Sequence, residues 1–336
     1  MGIDLPLVWA VIILFGVMMY VVMDGFDLGI GLMFPFFHAT ADRDVMMNTV
    51  APVWDGNETW LVLGGAGLLA AFPLAYSVVL NAFYLPLTLM LVGLIFRGVA
   101  FEFRFKASPD RRWLWDRAFI GGSLVATFFQ GVTLGGFIEG VAVRNGRYAG
   151  GALDWLSAFS VFTGLGLIAA YALLGSTWLV MKTDGSLQLR MRALARKLAW
   201  LLLLFIGAIS VFTPLAHERI AERWFTWPNL LWFSPVPLLV LVSMRQLLSS
   251  LRDDDSHVAP FLLTLALVFL GYSGLGISLW PNIVPPDISI REAAGPPQSL
   301  GFTLVGALLI IPMILMYTAW GYWVFRGKVR AGDGYH

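Results

Sequence analysis

Two pairs of acidic residues lie in stretches that are otherwise apolar. Asp24 and Asp27 are three positions apart near the end of the first apolar stretch, and Asp55 and Glu58 have the same spacing at the start of the second. Residues three apart share one face of a helix, so each pair can face a single seam between helices. Carboxylates in apolar surroundings are able to hold and pass a proton near neutral pH. The spacing therefore indicates proton or ion handling.

A basic and an acidic residue follow in the third apolar stretch. Arg97 is the obvious countercharge for the buried acids, and Glu102 comes five residues later. Each charge at mid-membrane costs roughly 2.5 to 3.5 kcal/mol, so such residues favour a function. Gly25 and Gly29 bracket Asp27 and predict close helix packing around it. Two alternatives remain from the residues alone: the charges are caps at the membrane interface, or they form a purely structural salt-bridge cluster.

The elements that hold these residues follow from composition. Of 336 residues, 58% are hydrophobic and 13% are charged, and the mean hydropathy is +0.77. These values are typical of an integral membrane protein. The net charge of +1 gives no field that would attract nucleic acid. The chain has no cysteine, so disulfides, thiolate chemistry and cysteine-ligated cofactors are excluded.

We predict an all-α, polytopic membrane protein with nine transmembrane helices in a single membrane domain over residues 1–336. Helices 1–4 carry the charged motifs, helices 5–8 form a second bundle, and helix 9 is C-terminal. The predicted spans are 6–30, 53–72, 76–100, 116–142, 155–181, 198–216, 229–248, 258–280 and 300–325. The loops are too short for a separate soluble domain. The apolar start has no cleavage pattern, so the first span is expected to be retained.

Lysine and arginine are concentrated in the first, third, fifth and seventh loops and in the C-terminal tail. By the positive-inside rule, this distribution predicts an N-terminus outside and a C-terminus in the cytoplasm. With that orientation, Asp24, Asp27, Asp55, Glu58 and the Arg97 to Glu102 segment all converge on the cytoplasmic side. The seam between the first three helices is thus predicted to open toward the cytoplasm.

Histidine is absent from the predicted helices. His217 and His257 fall in loops, His38 follows helix 1, and His336 is in the tail. No intramembrane histidine is therefore available as a haem ligand. The acidic cluster is not expected to bind a metal ion, because magnesium and calcium sites usually draw on more loop carbonyls and waters. We predict no metal ligand in this chain.

Four motifs, in order along the chain, resemble those of one family. They are Asp24-Gly25-Phe26-Asp27-Leu28-Gly29-Ile30-Gly31, Trp54-Asp55-Gly56-Asn57-Glu58-Thr59-Trp60 with Phe96-Arg97 and Glu102, Trp280-Pro281-Asn282-Ile283-Val284-Pro285-Pro286, and Tyr317-Thr318-Ala319-Trp320-Gly321-Tyr322-Trp323. Together they closely resemble subunit II of cytochrome bd-type quinol oxidases. The likeness covers essentially the whole chain. The short loop between helices 6 and 7 is more similar to the compact cyanide-insensitive branch.

The resemblance implies a respiratory enzyme of the bacterial cytoplasmic (inner) membrane. In that family quinol is oxidised on the outer side and dioxygen is reduced to water, which builds a proton gradient without pumping. Subunit I carries haems b558, b595 and d and the quinol-oxidising loop. Subunit II contributes to proton uptake and to oxygen access, and it can hold a structural quinone. The implied partners are subunit I, membrane lipids, quinol and dioxygen, and small accessory subunits; the isolated chain is expected to be inactive.

Carried over by motif, Asp24, Asp27 and Asp55 are the proton-path candidates, with Glu58 as a fourth. The resemblance implies that Trp54, Arg97 and Glu102 lie at the subunit interface near the haem. Two rival functions stay open beside this one. The first is a secondary transporter that binds a cation or small solute at these charges. The second is an assembly subunit whose acids only form salt bridges.

Overall fold

The structure is a computed structural model that describes residues 3–330 and Gly332. It is mostly helical, with 78% of residues in helices. The helices are α1 (Leu5–Met33), α2 (Thr40–Asn48), α3 (Trp54–Ala71), α4 (Pro73–Arg104), α5 (Arg112–Glu139), α6 (Ala158–Lys182), α7 (Gly185–Ala216), α8 (Glu218–Phe225), α9 (Asn229–Phe233), α10 (Pro235–Ser250), α11 (Ala259–Leu279), α12 (Ile290–Ala293) and α13 (Pro297–Val324). A 3-10 turn, Phe34–Phe36, extends α1.

The only strands in this part of the chain form two short antiparallel hairpins. One pairs β1 (Val143–Arg144) with β2 (Arg147–Tyr148), and the other pairs β3 (Asn282–Val284) with β4 (Ile288–Ser289). Both lie in connections between long helices, so the helical class predicted from the sequence is confirmed in its main feature.

Eight helical segments within residues 3–330 are long and apolar enough to cross a membrane. They are Leu5–Phe36, Pro73–Arg104, Arg112–Glu139, Ala158–Lys182, Gly185–Ala216, Asn229–Ser250, Ala259–Leu279 and Pro297–Val324. The predicted span 53–72 does form α3, but its first two turns include three polar or acidic side chains, Asp55, Asn57 and Glu58. The count of nine spans and the orientation of the termini therefore stay predictions.

Several segments differ from the predicted boundaries. Residues 31–52, which lie between the first two predicted spans, contain α2 and the 3-10 turn. The predicted span 229–248 is divided into α9 and α10 before Pro235, which has no N–H to continue a helical hydrogen-bond ladder. α7 has 32 residues, or about 48 Å of helix, which exceeds the roughly 30 Å hydrocarbon core. Its N-terminal part therefore projects past the membrane-spanning length.

The C-terminal half of α1 is the centre of the bundle. Every residue from Met23 to Met33 is buried, whereas the first half of the helix is partly exposed. α1 packs against α3, α5 and α6, and α4 packs along α5. α13 returns to contact both α1 and α3. The two acidic residues of α1 thus lie where helices from the beginning, middle and end of the chain meet.

Candidate proton site between α1, α3 and α4

α1 carries Asp24 and Asp27 into the interior, and the side chains of both residues are fully buried. Asp24 lies about 14 Å before the last residue of α1, given a rise of 1.5 Å per residue. The two carboxylates are therefore well inside the bundle, nearer to the end where α1 finishes and α3 begins. Water could solvate a carboxylate at the membrane interface or in a loop, whereas these two buried carboxylates need partners within the protein.

Glycine lets α6 approach α1 beside the acids. A Cβ atom added to Gly29 would lie 1.9 Å from the carbonyl oxygen of Tyr171, and one added to Gly25 would lie 2.8 Å from the Tyr171 ring. Real Cβ atoms do not tolerate such distances, so both positions require glycine at this helix spacing. The crossing holds the buried half of α1 in place.

Arg97 of α4 is the countercharge of this site. Its guanidinium forms an ion pair and hydrogen bond with Asp24, and both side chains are completely buried. The same Nη2 atom lies 3.6 Å from Oε2 of Glu58, whose side chain is 30% exposed. Glu58 thus joins the buried ion pair to the surface of the chain. A buried pair of this kind is maintained because either charge alone would be strongly destabilising.

Asp27 has a neutral partner. Nδ2 of Asn57 donates to Oδ2 of Asp27 at 2.9 Å and approaches the carbonyl oxygen of Met23 at 3.4 Å. The hydroxyl of Tyr322, near the end of α13, donates to Oδ1 of Asn57 at 2.8 Å. A chain of hydrogen bonds therefore runs from the last helix through α3 to the buried acid of α1.

Two aromatic rings cover the arginine. Trp54 and Phe101 stack with their centroids 5.1 Å apart and their planes 12° from parallel. The Cζ atom of Arg97 lies 5.7 Å from the Trp54 ring and 5.8 Å from the Phe101 ring, which are distances typical of cation–π interactions. These rings shield the guanidinium from the side of α3 and α4 that faces outward.

Of the seven predicted proton-path and interface residues, five come together, with Trp54 as the ring beside Arg97, and two do not. Asp24, Asp27, Glu58 and Arg97 form one cluster, which we call the acidic site. Asp55 is exposed in the first turn of α3, and no ion pair to it is found among the described residues. Glu102 points away on the exposed side of α4, where it lies 3.4 Å from Lys106. The functional roles assigned to all seven stay predictions.

Sequence reasoning missed Asn57 and Tyr322, which hold Asp27, and it missed a second buried group of charges. In that group Asp116 accepts from Arg104 at 2.6 Å and from Arg43 at 2.7 Å, while Arg104 also donates to Asp44 at 2.5 Å. Arg104 is fully buried, and Arg112 lies 3.7 Å from Asp44. We call this group the arginine–aspartate network. Asp116 at the start of a predicted span was the one signal that pointed to it.

The acidic site has unused hydrogen-bonding capacity. Oδ2 of Asp24, Oδ1 of Asp27, and Nε and Nη1 of Arg97 are buried without a hydrogen-bond partner in the protein. Carboxylate oxygens in this state can accept either a proton or a water molecule. Among residues 3–330 and Gly332, no three histidine or acidic side chains are arranged to hold a metal ion. The arrangement is suited to holding and passing protons.

Comparison with known proteins identifies the family. Residues 5–325 match the family model described as cytochrome bd terminal oxidase subunit II. Cytochrome bd-I ubiquinol oxidase subunit 2 of Escherichia coli K12 is 30% identical, and the alignment covers 94% of this chain and 92% of that protein. Cytochrome bd ubiquinol oxidase subunit 2 of Bacillus subtilis is 27% identical, with 91% of each chain covered.

A solved structure has the same fold. The bd oxidase from Geobacillus thermodenitrificans matches with a TM-score of 0.70 and 17% identity, covering 94% of this chain and 98% of that one. The eight apolar helices and the fold define a multi-pass membrane protein. The family match extends over nearly the whole length, so the chain belongs to the subunit II family of cytochrome bd terminal oxidases. It is therefore a component of a respiratory quinol oxidase complex.

Proposed function

We propose that this chain takes up protons from the cytoplasm and delivers them toward the oxygen-reducing centre of subunit I. The observation that carries this proposal is the acidic site itself: two completely buried carboxylates, one buried arginine, and a glutamate that reaches the surface. Charges in this setting are costly in a membrane and mark ion or proton routes. No other buried cluster of the described helices combines unpaired carboxylate oxygens with an opening to the surface.

The proposed route begins at the first turn of α3. Asp55 is exposed at the mouth, and Glu58, one turn further, is half-buried beside Arg97. Arg97 links Glu58 to Asp24, since one guanidinium nitrogen contacts both carboxylates. Asp27 lies one turn further along α1 and is held by Asn57. A proton accepted at Glu58 thus has the carboxylates of Asp24 and Asp27 as its next acceptors, while Arg97 stays charged between Glu58 and Asp24.

The orientation of the chain determines which side of the membrane supplies protons to this route. We place the N-terminus outside and the C-terminus in the cytoplasm, as the distribution of lysine and arginine predicts. Protons consumed in reducing dioxygen then come from the cytoplasm, while quinol releases its protons outside, and the two processes build the proton motive force together. Haems b558, b595 and d, bound in subunit I, supply the electron-transfer and oxygen chemistry.

The exposed face of α3 and α4 is the proposed contact with subunit I. Ile95 and Phe96 on α4 and Val62 on α3 are more than half exposed in the isolated chain. They lie on the exposed side of the two helices that carry Trp54 and Phe101, the rings that stack over Arg97. An apolar face of this kind beside the acidic site suits both a subunit interface and passage of dioxygen toward the haem. Glu102 with Lys106 is proposed to lie at the edge of this interface.

Substitutions at the two ends of the route test the proposal. Asp24→Asn and Glu58→Gln keep the size of each side chain but remove its proton. We expect quinol oxidase turnover to fall by about tenfold or more with haem content unchanged, since groups that transfer protons contribute about 100-fold to 10,000-fold. Asp110→Asn is the control, because Asp110 is an exposed carboxylate in the loop between α4 and α5.

The outcome is decided by turnover per haem. If Asp24→Asn and Glu58→Gln both match the Asp110→Asn control, the acidic site is structural and the proposal is wrong. A structural role has one observation in its favour, the direct ion pair of Asp24 with Arg97. The transporter alternative is not carried further, because membership of the oxidase family already accounts for the charged helices.

A further inference from the structure

A stripe of polar residues on α5 faces the part of α1 that carries the acidic site. Ser123, Thr127 and Gln130 are spaced four and three apart, which places them on one face of the helix. Ser123 and Thr127 are completely buried. The neighbouring faces of α5 are occupied: a Cβ atom on Gly122 would meet α4, and one on Gly131 would meet α6. The stripe between them therefore points toward α1.

The stripe lies at the same depth as the acidic residues. A Cβ atom on Gly31 would lie 2.1 Å from Oγ of Ser123, so these two positions are in contact. At the other end, Gln130 is the polar neighbour of the Tyr171 hydroxyl, and the Tyr171 ring lies against Gly25. Gly25 to Gly31 and Ser123 to Gln130 each span about 10 Å of helix. Thr127 and Gln130 are consequently level with Asp24 and Asp27.

Four polar atoms along this seam have no partner in the protein. Tyr171 and Gln130 are polar neighbours, as are Tyr20 and Asp24. The hydroxyls of Ser123 and Thr127, and Nε and Nη1 of Arg97, are buried with neither a hydrogen bond nor such a neighbour. A buried polar group without a hydrogen bond is rare because its desolvation is not compensated. These atoms are enclosed by helices of this same chain, so side chains of subunit I cannot reach them. Water is the one partner small enough to enter.

The seam is separated from the arginine–aspartate network by aromatic rings. Phe119, one turn before Ser123 on α5, contacts Phe34 with ring centroids 4.7 Å apart and Phe101 with centroids 5.0 Å apart. Phe34 and Phe119 are fully buried. The rings close the seam at that end, so the polar atoms form a site of their own and are not an extension of the network.

We propose that the seam binds a small cluster of about two water molecules, since one buried water typically makes about three hydrogen bonds and four atoms need partners. The cluster connects Asp24 and Arg97 to Thr127, Gln130 and Tyr171. Its role rests on the proposed function: the waters solvate the ion pair while Asp24 gains and loses a proton. Without them, the charges would change state in a dry interior, where an uncompensated charge is unfavourable.

A map of the intact oxidase complex at a resolution that shows ordered waters tests the site. We expect density within hydrogen-bonding distance of Oγ1 of Thr127 and Oε1 of Gln130. A map in which the seam is dry, with these side chains bonded to one another or to Asp24 directly, overturns the proposal. This measurement uses the unmodified complex, so it decides the question even when a variant does not assemble.

Two substitutions on α5 test the role. Thr127→Val and Gln130→Leu retain the volume of the side chains and remove the bonds to water. We expect the combined variant to lose the water density and to reduce turnover by about fivefold, the factor that corresponds to one ordinary hydrogen bond. Thr133→Val is the control on the same helix, because the Thr133 hydroxyl already donates to the carbonyl of Phe129 at 2.8 Å.

The two proposals fail separately. If the α5 variant loses its waters and keeps the turnover of Thr133→Val, the water cluster has no role in proton transfer, while the route through Glu58 and Asp24 stands. If Asp24→Asn and Glu58→Gln also keep full turnover, the proposed function itself is wrong. If the combined variant does not assemble, Thr127→Val alone supplies the same comparison with a nearly isosteric side chain.

Discussion

Removal of Arg97 should destabilise this protein more than removal of any surface charge. In the variant Arg97→Met, Asp24 and Asp27 remain completely buried without a countercharge. Breaking a buried ion pair by taking away one partner costs about 3–5 kcal/mol. Asp24→Asn leaves the arginine with only Glu58, 3.6 Å away and partly exposed, so we expect a similar loss. The double variant removes both charges. Its loss of unfolding free energy should be smaller than the sum of the losses in the two single variants by at least about 3 kcal/mol.

Denaturant titration of the complex in mixed micelles measures this coupling. The four proteins of the cycle are the wild type, Arg97→Met, Asp24→Asn and the double variant, and the unfolding free energy of each is compared. If the two single-variant losses simply add, the ion pair is not the stabilising contact that the geometry indicates. Turnover of the double variant separates the two roles: a purely structural pair predicts recovered activity, whereas the proton route predicts that activity stays low.

Two further predictions concern the contacts around the acidic site. Gly29→Ala should prevent assembly or lower the unfolding free energy by at least about 1–3 kcal/mol, because the new Cβ would lie 1.9 Å from a backbone carbonyl of α6. Gly65→Ala is the control, because nothing lies within 4 Å of a Cβ at that position. Equal yields of the two complexes would refute the close crossing of α1 and α6. Tyr322→Phe removes the donor to Asn57 and should cost about 1 kcal/mol of stability with a smaller effect on turnover than Asp24→Asn. An unchanged unfolding free energy for Tyr322→Phe would show that α13 does not support Asp27.

The sequence was most informative where burial leaves no choice. Asp24 and Asp27 lie in a long apolar run, so a helix there must bury them, and Arg97 is the one basic residue inside the first three predicted spans. Their pairing could therefore be predicted without a structure. The need for glycine at positions 25 and 29 was equally visible, although the helix that packs against them, α6, was not.

Helix geometry explains two of the residues that do not join the site. Asn57 faces α1, and Asp55 is two positions earlier, about 200° around the helix, so it points to the opposite side. Glu102 is five positions after Arg97, about 140° away, and falls on the exposed side of α4. Spacing alone would have separated both from the cluster once the buried face of each helix was known.

The remaining contacts depend on tertiary packing. Tyr322 reaches Asn57 across most of the length of the chain, and nothing near either residue in sequence predicts that pairing. The arginine–aspartate network likewise joins α2, α4 and α5, and α2 lies between two predicted spans. The short helix is not apolar, so a search for membrane spans passes over it.

Sided proton uptake tests the central claim most directly. The oxidase complex is reconstituted into sealed vesicles with one orientation, and proton consumption is followed on each side during reduction of dioxygen. We predict uptake from the side on which Asp55 and Glu58 open, with a rate that Glu58→Gln lowers by about tenfold or more while Asp110→Asn leaves it unchanged. Uptake from the opposite side, or an unchanged rate in Glu58→Gln, would contradict the account.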